Sequence, residues 1–155
     1  MAANGFEYRY NLSGGRPLIL TFLMKDTETL TRGDMLNIES GEVDLAVTSD
    51  AALAGIFVGP EDPDDAVERK PGTVSGTDST TLVKVIVNPD AVYADANDTS
   101  ARLAGATLDI SGATGAQTLA ASSNTEFVVV ERKRQASDET RVMICSSAHY
   151  LAKAQ

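Results

Sequence analysis

The sequence contains no tryptophan, one cysteine and one histidine among its 155 residues. Cys145 therefore has no partner for an intramolecular disulfide, and one histidine with one cysteine is too few for a His/Cys zinc site. The longest nearly unbroken apolar run, residues 18–24, is interrupted by Thr21 and is much shorter than the roughly 20 residues of a membrane-spanning helix. These absences exclude a disulfide scaffold and a zinc module, and they predict no bound metal, no cofactor and no membrane partner.

Basic residues are also scarce relative to acidic ones. The chain has 13 lysines and arginines against 22 aspartates and glutamates, which gives a net charge of −9 and a pI near 4.5. A surface with this balance repels phosphate backbones, so we expect no nucleic-acid partner. The 43% hydrophobic and 23% charged residues are close to the globular average, and the length suits a single domain.

Apolar residues come in short bursts, separated by turn residues about every ten positions. This spacing is typical of antiparallel strands in a sandwich or barrel. Valine and isoleucine dominate several bursts, and their branched β-carbons suit a pleated strand better than a helix. The pattern predicts strands over residues 6–10, 18–24, 35–38, 43–47, 53–58, 82–87, 91–94, 107–110, 117–120, 127–131 and 141–146.

The predicted fold is all-β: a compact antiparallel β-barrel or sandwich with one or two short helical turns and a long acidic surface loop. The best positions for single turns are Asp64–Lys70 and Thr99–Leu103, because no window keeps helical spacing over ten residues. The loop is residues 59–81, which hold three of the five prolines and six acidic residues. We expect an N-terminal arm, residues 1–16, and one β-domain, residues 17–155, from which the loop projects.

Two segments of the chain resemble each other. In Gly33–Ile38 and Gly105–Ile110, a glycine precedes a leucine and an isoleucine that flank one polar residue, Asn37 or Asp109. Such alternation sends the apolar and the polar side chains to opposite faces of a strand. Each segment then turns at glycine and continues through two further strands, which indicates a duplicated three-strand meander; ordinary hairpin chemistry is the alternative. The side chains expected to point inward are Leu36, Ile38, Leu108, Ile110, Val128 and Val130.

Few side chains are placed to perform chemistry. No glycine-rich turn or helix N-terminus accompanies Cys145, so we expect a buried structural thiol and a solvated His149 near the C-terminus. The acidic residues between 61 and 68 lack the spacing of an EF-hand calcium loop. The Arg-Gly-Asp tripeptide at 32–34 matches a cell-adhesion motif but is too short to be specific. We therefore expect no catalytic residues and a protein that is not an enzyme.

A wider likeness follows from a Gly-Asp turn and alternating apolar residues in six segments. These segments are 32–38, 54–58, 83–87, 91–94, 104–110 and 127–130. Over about residues 30–146 their order resembles the head-decoration, or capsid cement, proteins of tailed bacteriophages. The resemblance implies a compact β-domain without catalytic residues, made in the cytoplasm of the bacterial host. It would bind the major capsid protein on the outer surface of the virion and stabilise the shell.

Two other functions remain as alternatives. One is a structural subunit of a phage tail or neck, and the other is a small β-barrel enzyme that uses paired carboxylates. Because dense packing of an acidic protein causes self-repulsion, we also expect apolar contacts between copies, either in a small homo-oligomer, with a trimer preferred, or in an interlocked lattice. The 59–81 loop would then face solvent.

The N-terminal segment is the first candidate for partner contact. Phe6, Tyr8 and Tyr10 alternate with polar residues, so their three rings are expected on one face of an extended arm. Aromatic side chains commonly dominate the energy of protein interfaces. The alternative is that these rings cover the protein's own core.

The second candidate is a short basic run. Arg132, Lys133 and Arg134 lie within residues 131–155, which hold five basic and three acidic residues in an otherwise acidic chain. Such charge asymmetry favours contact with an acidic partner surface. A solvated hairpin tip between the last two strands is the alternative.

Overall fold

The computed structural model describes residues 5–48, 50, 52–60, 73–75, 81–95, 97–98, 100–121, 124–131 and 139–153. Within them the chain is nearly all β, with thirteen strands and one short helix. The elements are β1 (Glu7–Asn11), β2 (Ile19–Met24), β3 (Thr29–Thr31), β4 (Met35–Glu39), β5 (Glu42–Leu45), β6 (Leu53–Pro60), β7 (Thr73–Ser75), β8 (Leu82–Ile86), β9 (Ala91–Asp95), β10 (Thr107–Ser111), β11 (Thr118–Ala121), β12 (Phe127–Val129), β13 (Thr140–Ile144) and α1 (Tyr150–Lys153).

The strands form a closed barrel, a six-stranded sheet and a two-stranded ribbon. Neighbours around the barrel are β2, β5, β4, β6 and β8, and only the β2–β5 pair is parallel. The sheet has the order β1-β9-β13-β12-β10-β11 and is antiparallel throughout. Barrel and sheet pack as a sandwich, which confirms the predicted fold class.

Each of the eleven predicted strands is present, with ends shifted by one or two residues. The sequence analysis missed β3 and β7, which have three residues each and pair with one another. The predicted loop at 59–81 therefore begins two residues later and is interrupted, because residues 59–60 belong to β6 and 73–75 form β7. Its remaining parts, 61–72 and 76–80, lie outside the described residues.

The helical turn predicted at Thr99–Leu103 is wrong for the described residues 100–103, which are not helical. The Asp98 carboxylate accepts the backbone N–H of Ser100 and pairs with Arg102 at 2.9 Å, which fixes a non-helical bend. The turn predicted at Asp64–Lys70 lies outside the described residues. The short helix α1 instead follows β13, where no helix was predicted.

Apolar side chains fill two clusters, one inside the barrel and one between the barrel and the sheet. Leu36, Leu108 and Ile110 are buried as predicted, and Ile38 is half-buried. The inward face of β12 is wrong by one residue. Phe127 and Val129 are buried there, whereas Val128 and Val130 are half-exposed. The aromatic ring decides the register, because Phe127 stacks on Phe6 with ring centroids 5.7 Å apart.

The two similar segments occupy equivalent positions in two copies of one strand arrangement. Barrel strands follow the order β5-β4-β6-β8-β2, and sheet strands follow the order β11-β10-β12-β13-β9. Leu36 pairs with residues 45 and 55, and Leu108 pairs with residues 121 and 127. The meander prediction is wrong in strand order, because the first strand of each unit lies between the other two.

The polar residue in each of these strands is buried as well. Asn37 is 7% exposed and donates a hydrogen bond to Asp44, while Asp109 is 1% exposed and accepts the backbone N–H of Asn124 at 3.0 Å. Both faces of these central strands are therefore covered, so the alternation does not mark a solvent face.

The two units are closed in different ways. In the barrel, the end of β2 pairs with β5 through backbone hydrogen bonds. In the sheet, the equivalent strands β9 and β11 are joined by the buried carboxylate of Asp95. It accepts the hydroxyl of Thr118 at 2.7 Å and the backbone N–H of Leu119 at 2.9 Å. The free edge of β9 is covered by β1.

The assignment of the second core can be tested with Leu108→Asp. This substitution places a carboxylate without a partner at a position that is 3% exposed, so we expect a loss of more than about 4 kcal/mol in the free energy of unfolding. Leu103→Asp, at a leucine that is 66% exposed, is the matched control. Urea denaturation measures both, and equal stability of the two variants would contradict the assigned core.

Candidate partner-contact site

Strand β1 brings the predicted aromatic residues to the edge of the six-stranded sheet. Phe6, just before the strand, is 1% exposed, and its backbone N–H donates to the carbonyl of Gly33 at 2.8 Å. Its ring packs in the protein's own core against Phe127. Phe6 therefore covers the protein's own core, as the alternative interpretation expected. Partner contact remains a prediction for the half-buried Tyr8 and the exposed Tyr10.

A β-bulge separates the two tyrosines. Tyr8 pairs with Tyr93 and Tyr10 pairs with Val92, so Arg9 is the extra residue of β1. The three rings consequently do not share one face, which corrects the expectation from simple alternation. Tyr10 is 37% exposed, and the guanidinium of Arg141 lies 5.9 Å from the centre of its ring.

Charged side chains connect β1 with the chain on both sides of the 132–138 segment. Arg9 donates to Glu139 at 2.9 Å and to Glu7 at 2.7 Å, while Arg141 donates to Glu139 at 2.9 Å and to Glu131 at 3.1 Å. The hydrogen bond from Arg9 lowers the pKa of Glu139, and the bond to Glu139 raises the pKa of each arginine. We call these five side chains, Glu7, Arg9, Glu131, Glu139 and Arg141, the β1 charge network.

The basic run Arg132, Lys133 and Arg134 lies outside the described residues. The residues that flank the segment, Glu131 and Glu139, both belong to the β1 charge network. The structure therefore brings the chain on either side of the basic run to the strand that carries Tyr8 and Tyr10. Sequence analysis missed this network because Arg9 and Glu139 are 130 positions apart.

A cleft of about 730 Å³ lies beside β1. Its walls include the apolar side chains of Ile56 and Val58, the ring of Tyr8, the ion pair of Glu7 with Arg9, and Arg32. Arg32 is exposed and has no ion pair with any described residue. The cleft can therefore receive an apolar side chain and a carboxylate from a partner.

The Arg-Gly-Asp tripeptide does not form an adhesion site. The carboxylate of Asp34 is buried and accepts the N–H of Thr31, the hydroxyl of Thr114 and the N–H of Gly115, at 2.6–2.8 Å. Burial raises the pKa of this carboxyl group above its ordinary value. Because the carboxylate of Asp34 is buried, a receptor cannot reach it. Its hydrogen bonds hold the turn between β10 and β11 against the barrel.

His149 is fully buried, which corrects the expectation of a solvated side chain. Its backbone forms a bridge with Leu53 of β6, and its Nδ1 accepts the backbone N–H of Leu151 at 3.1 Å. Burial lowers the pKa of His149 to about 4. Cys145 is half-buried instead of fully buried, and burial raises the pKa of its thiol. Neither side chain is tuned for nucleophilic catalysis, since the thiol stays protonated at neutral pH.

The described residues hold no group of three or more histidine, cysteine, aspartate or glutamate side chains that could bind a metal ion. Among the same residues, no helix has the length and apolar character needed to cross a membrane. The buried carboxylates of Asp34, Asp95 and Asp109 accept backbone N–H groups, so they hold turns and strands in place.

No protein-family model matches the chain, and comparison with curated proteins finds no match. The likeness to capsid cement proteins therefore continues to depend on the residues quoted above.

The burial of His149 predicts a loss of stability in acid. The folded protein keeps this imidazole neutral down to about pH 4, whereas the unfolded chain binds a proton near pH 6.5. As pH falls from 6.5 to 4, protonation stabilises only the unfolded state, by up to about 3 kcal/mol. Urea denaturation between pH 7 and 5 measures this slope. His149→Gln should have a shallower slope than the parent, and equal slopes would contradict the assignment.

Proposed function

We propose that the protein is a structural virion protein that binds the outside of a tailed-phage capsid and stabilises the shell. The observation that supports this proposal is the convergence of β1, the cleft and the β1 charge network at one corner of the fold. Tyr10, on β1, and Leu12, just after the strand, are 37% and 56% exposed. Aromatic and aliphatic anchors ringed by charged groups are typical of protein contact surfaces.

The chemistry of this corner suits a protein partner that offers carboxylates. Arg32 stands at the rim of the cleft without an ion pair to any described residue, so a partner carboxylate can bind it without displacing an internal one. Tyr8 and Val58 supply apolar wall for a neighbouring side chain. In the proposed complex, the major capsid protein provides both groups.

The hydrogen bonds of the buried carboxylates favour a structural function over that of a carboxylate-dependent enzyme. A glycosidase-type mechanism needs two carboxyl groups that face a substrate. Asp34, Asp95 and Asp109 are at most 1% exposed and are engaged by backbone donors. They are committed to the fold and cannot meet a substrate.

Binding of this kind stabilises a shell by mass action. A protein that binds the assembled shell but not its separate subunits contributes RT ln(1 + [L]/Kd) per site, or about 2.7 kcal/mol at a hundredfold excess over Kd. The contribution is repeated at every occupied site on the outer surface. The trimer expected from the sequence would add contacts between neighbouring copies.

The proposal is tested by co-sedimentation with purified capsids that lack this protein. We expect the parent to bind the shells, and Tyr10→Ala to weaken binding at least about tenfold because it removes an interface anchor. Leu103→Ala, which shortens an exposed leucine elsewhere, should bind like the parent.

A second measurement tests stabilisation itself. Particles with the protein should release their DNA at a higher temperature than particles without it. Equal release temperatures would refute the reinforcing role even if binding were found, and tubes or rings formed by the purified protein would favour the tail or neck alternative.

A further inference from the structure

Strands β2 and β9 hold the same position in the two copies of the strand arrangement. Leu20 of β2 pairs with Val85 of β8, just as Tyr93 of β9 pairs with Val142 of β13. Val85 and Val142 are themselves equivalent, because each pairs with the matching residue of the preceding strand, Phe57 or Val129. The surroundings of β9 therefore show how a strand at this position is covered when both of its edges are paired, and β2 can be compared with it.

β9 and β2 differ in whether another strand pairs with their second edge. β1 pairs with β9 along that edge, and all five residues of β9 are buried. No described strand pairs with the corresponding edge of β2 before Leu23, where the pairing with β5 begins. Leu18, Ile19 and Leu20 are consequently 46%, 47% and 37% exposed, although all three are large and apolar.

The bare edge lacks the features by which natural proteins prevent strand addition. Such edges usually carry a charge, a proline or a bulge, and β1, the edge strand of the sheet, has Glu7, Arg9 and a bulge in its pairing with β9. β2 has none of these from residue 18 to residue 24. Leu23 and its cross-strand partner Leu82 add further apolar surface, at 38% and 40% exposure.

We propose that this edge, residues 18–22, pairs with the same edge of a second copy of the chain. The strand that covers the equivalent edge of β9 is antiparallel to it. Two β2 strands related by a two-fold axis are antiparallel by symmetry, so a second copy supplies the required orientation.

The charge distribution leaves this edge as a place where a second copy can bind. Each molecule carries a net charge of −9, so two copies repel each other over most of their surface. Residues 17–24 contain no charged side chain, and identical strands can meet there without facing carboxylates. The proposed contact forms between two copies of the purified protein, so it does not depend on whether the protein binds a capsid.

Sedimentation equilibrium on the purified protein tests the proposal. We expect the parent to self-associate and Ile19→Lys to weaken the association at least about tenfold, because the substitution places one like charge from each chain close to the two-fold axis. Leu103→Lys places the same charge on an exposed leucine away from β2 and should associate like the parent. If the expected trimer also forms, Ile19→Lys should leave it intact and abolish only the larger species. A monomeric parent, or equal effects of the two variants, would overturn the proposal.

Cysteine cross-linking gives an independent readout of the register. In a Cys145→Ser background, single cysteines placed in turn at positions 18–22 should yield a disulfide-linked product of two chains. The yield should peak at the one position nearest the two-fold axis and fall on either side. Equal yields at all positions, or pairing only with a different protein, would refute a β2–β2 contact.

Discussion

The relative position of barrel and sheet depends on one buried amide. Gln117 is fully buried, and its Nε2 donates to the carbonyls of Met35 and Ala46 at 3.2 and 3.0 Å while its Oε1 accepts the Met35 N–H at 2.6 Å. A buried amide without these partners would cost free energy, so the turn before β11 has one acceptable position against β4. That turn needs Gly112, whose φ is +100° and where a β-carbon would lie 2.5 Å from the carbonyl oxygen of Ala116. Asp34 adds a second set of hydrogen bonds to the same turn.

The barrel and the sheet, fixed in this way, differ in how their outer strands are joined, and this difference determines where β1 can pair. The barrel closes on itself through β2 and β5, whereas the sheet is joined across β9 and β11 by the carboxylate of Asp95. The side-chain connection leaves the edge of β9 available to β1. The N-terminal segment therefore has two roles, since Phe6 completes the core and Tyr10, beyond the bulge, faces outward. The two roles depend on each other, because the pairing of β1 with β9 positions both Phe6 and Tyr10.

Sequence periodicity was sufficient for the strands and insufficient for what surrounds them. Short Val- and Ile-rich bursts located eleven strands, but β3 and β7, with three residues each, are too short to show a period. The Phe-Val-Val-Val segment offered no polar residue to mark its outer face, so the inward register was wrong. His149 looked solvated because it is near the end of the sequence, and only its bridge to Leu53 buries it. The β1 charge network depends on tertiary contacts between distant positions, and no local pattern encodes such contacts.

The two surfaces proposed for association differ in the forces that act on them. The edge of β2 is apolar and uncharged, so contact there gains from removal of aliphatic surface from water and is opposed by the general repulsion between acidic molecules. The corner at β1 presents the guanidinium of Arg32, which has no ion pair with any described residue, and contact there gains from a carboxylate of the partner. Added salt screens the repulsion at the first surface and the attraction at the second. The first proposal therefore assigns an identical copy to the uncharged edge, and the second assigns a different, carboxylate-bearing protein to the corner, so the two proposed contacts use separate sites on one small fold.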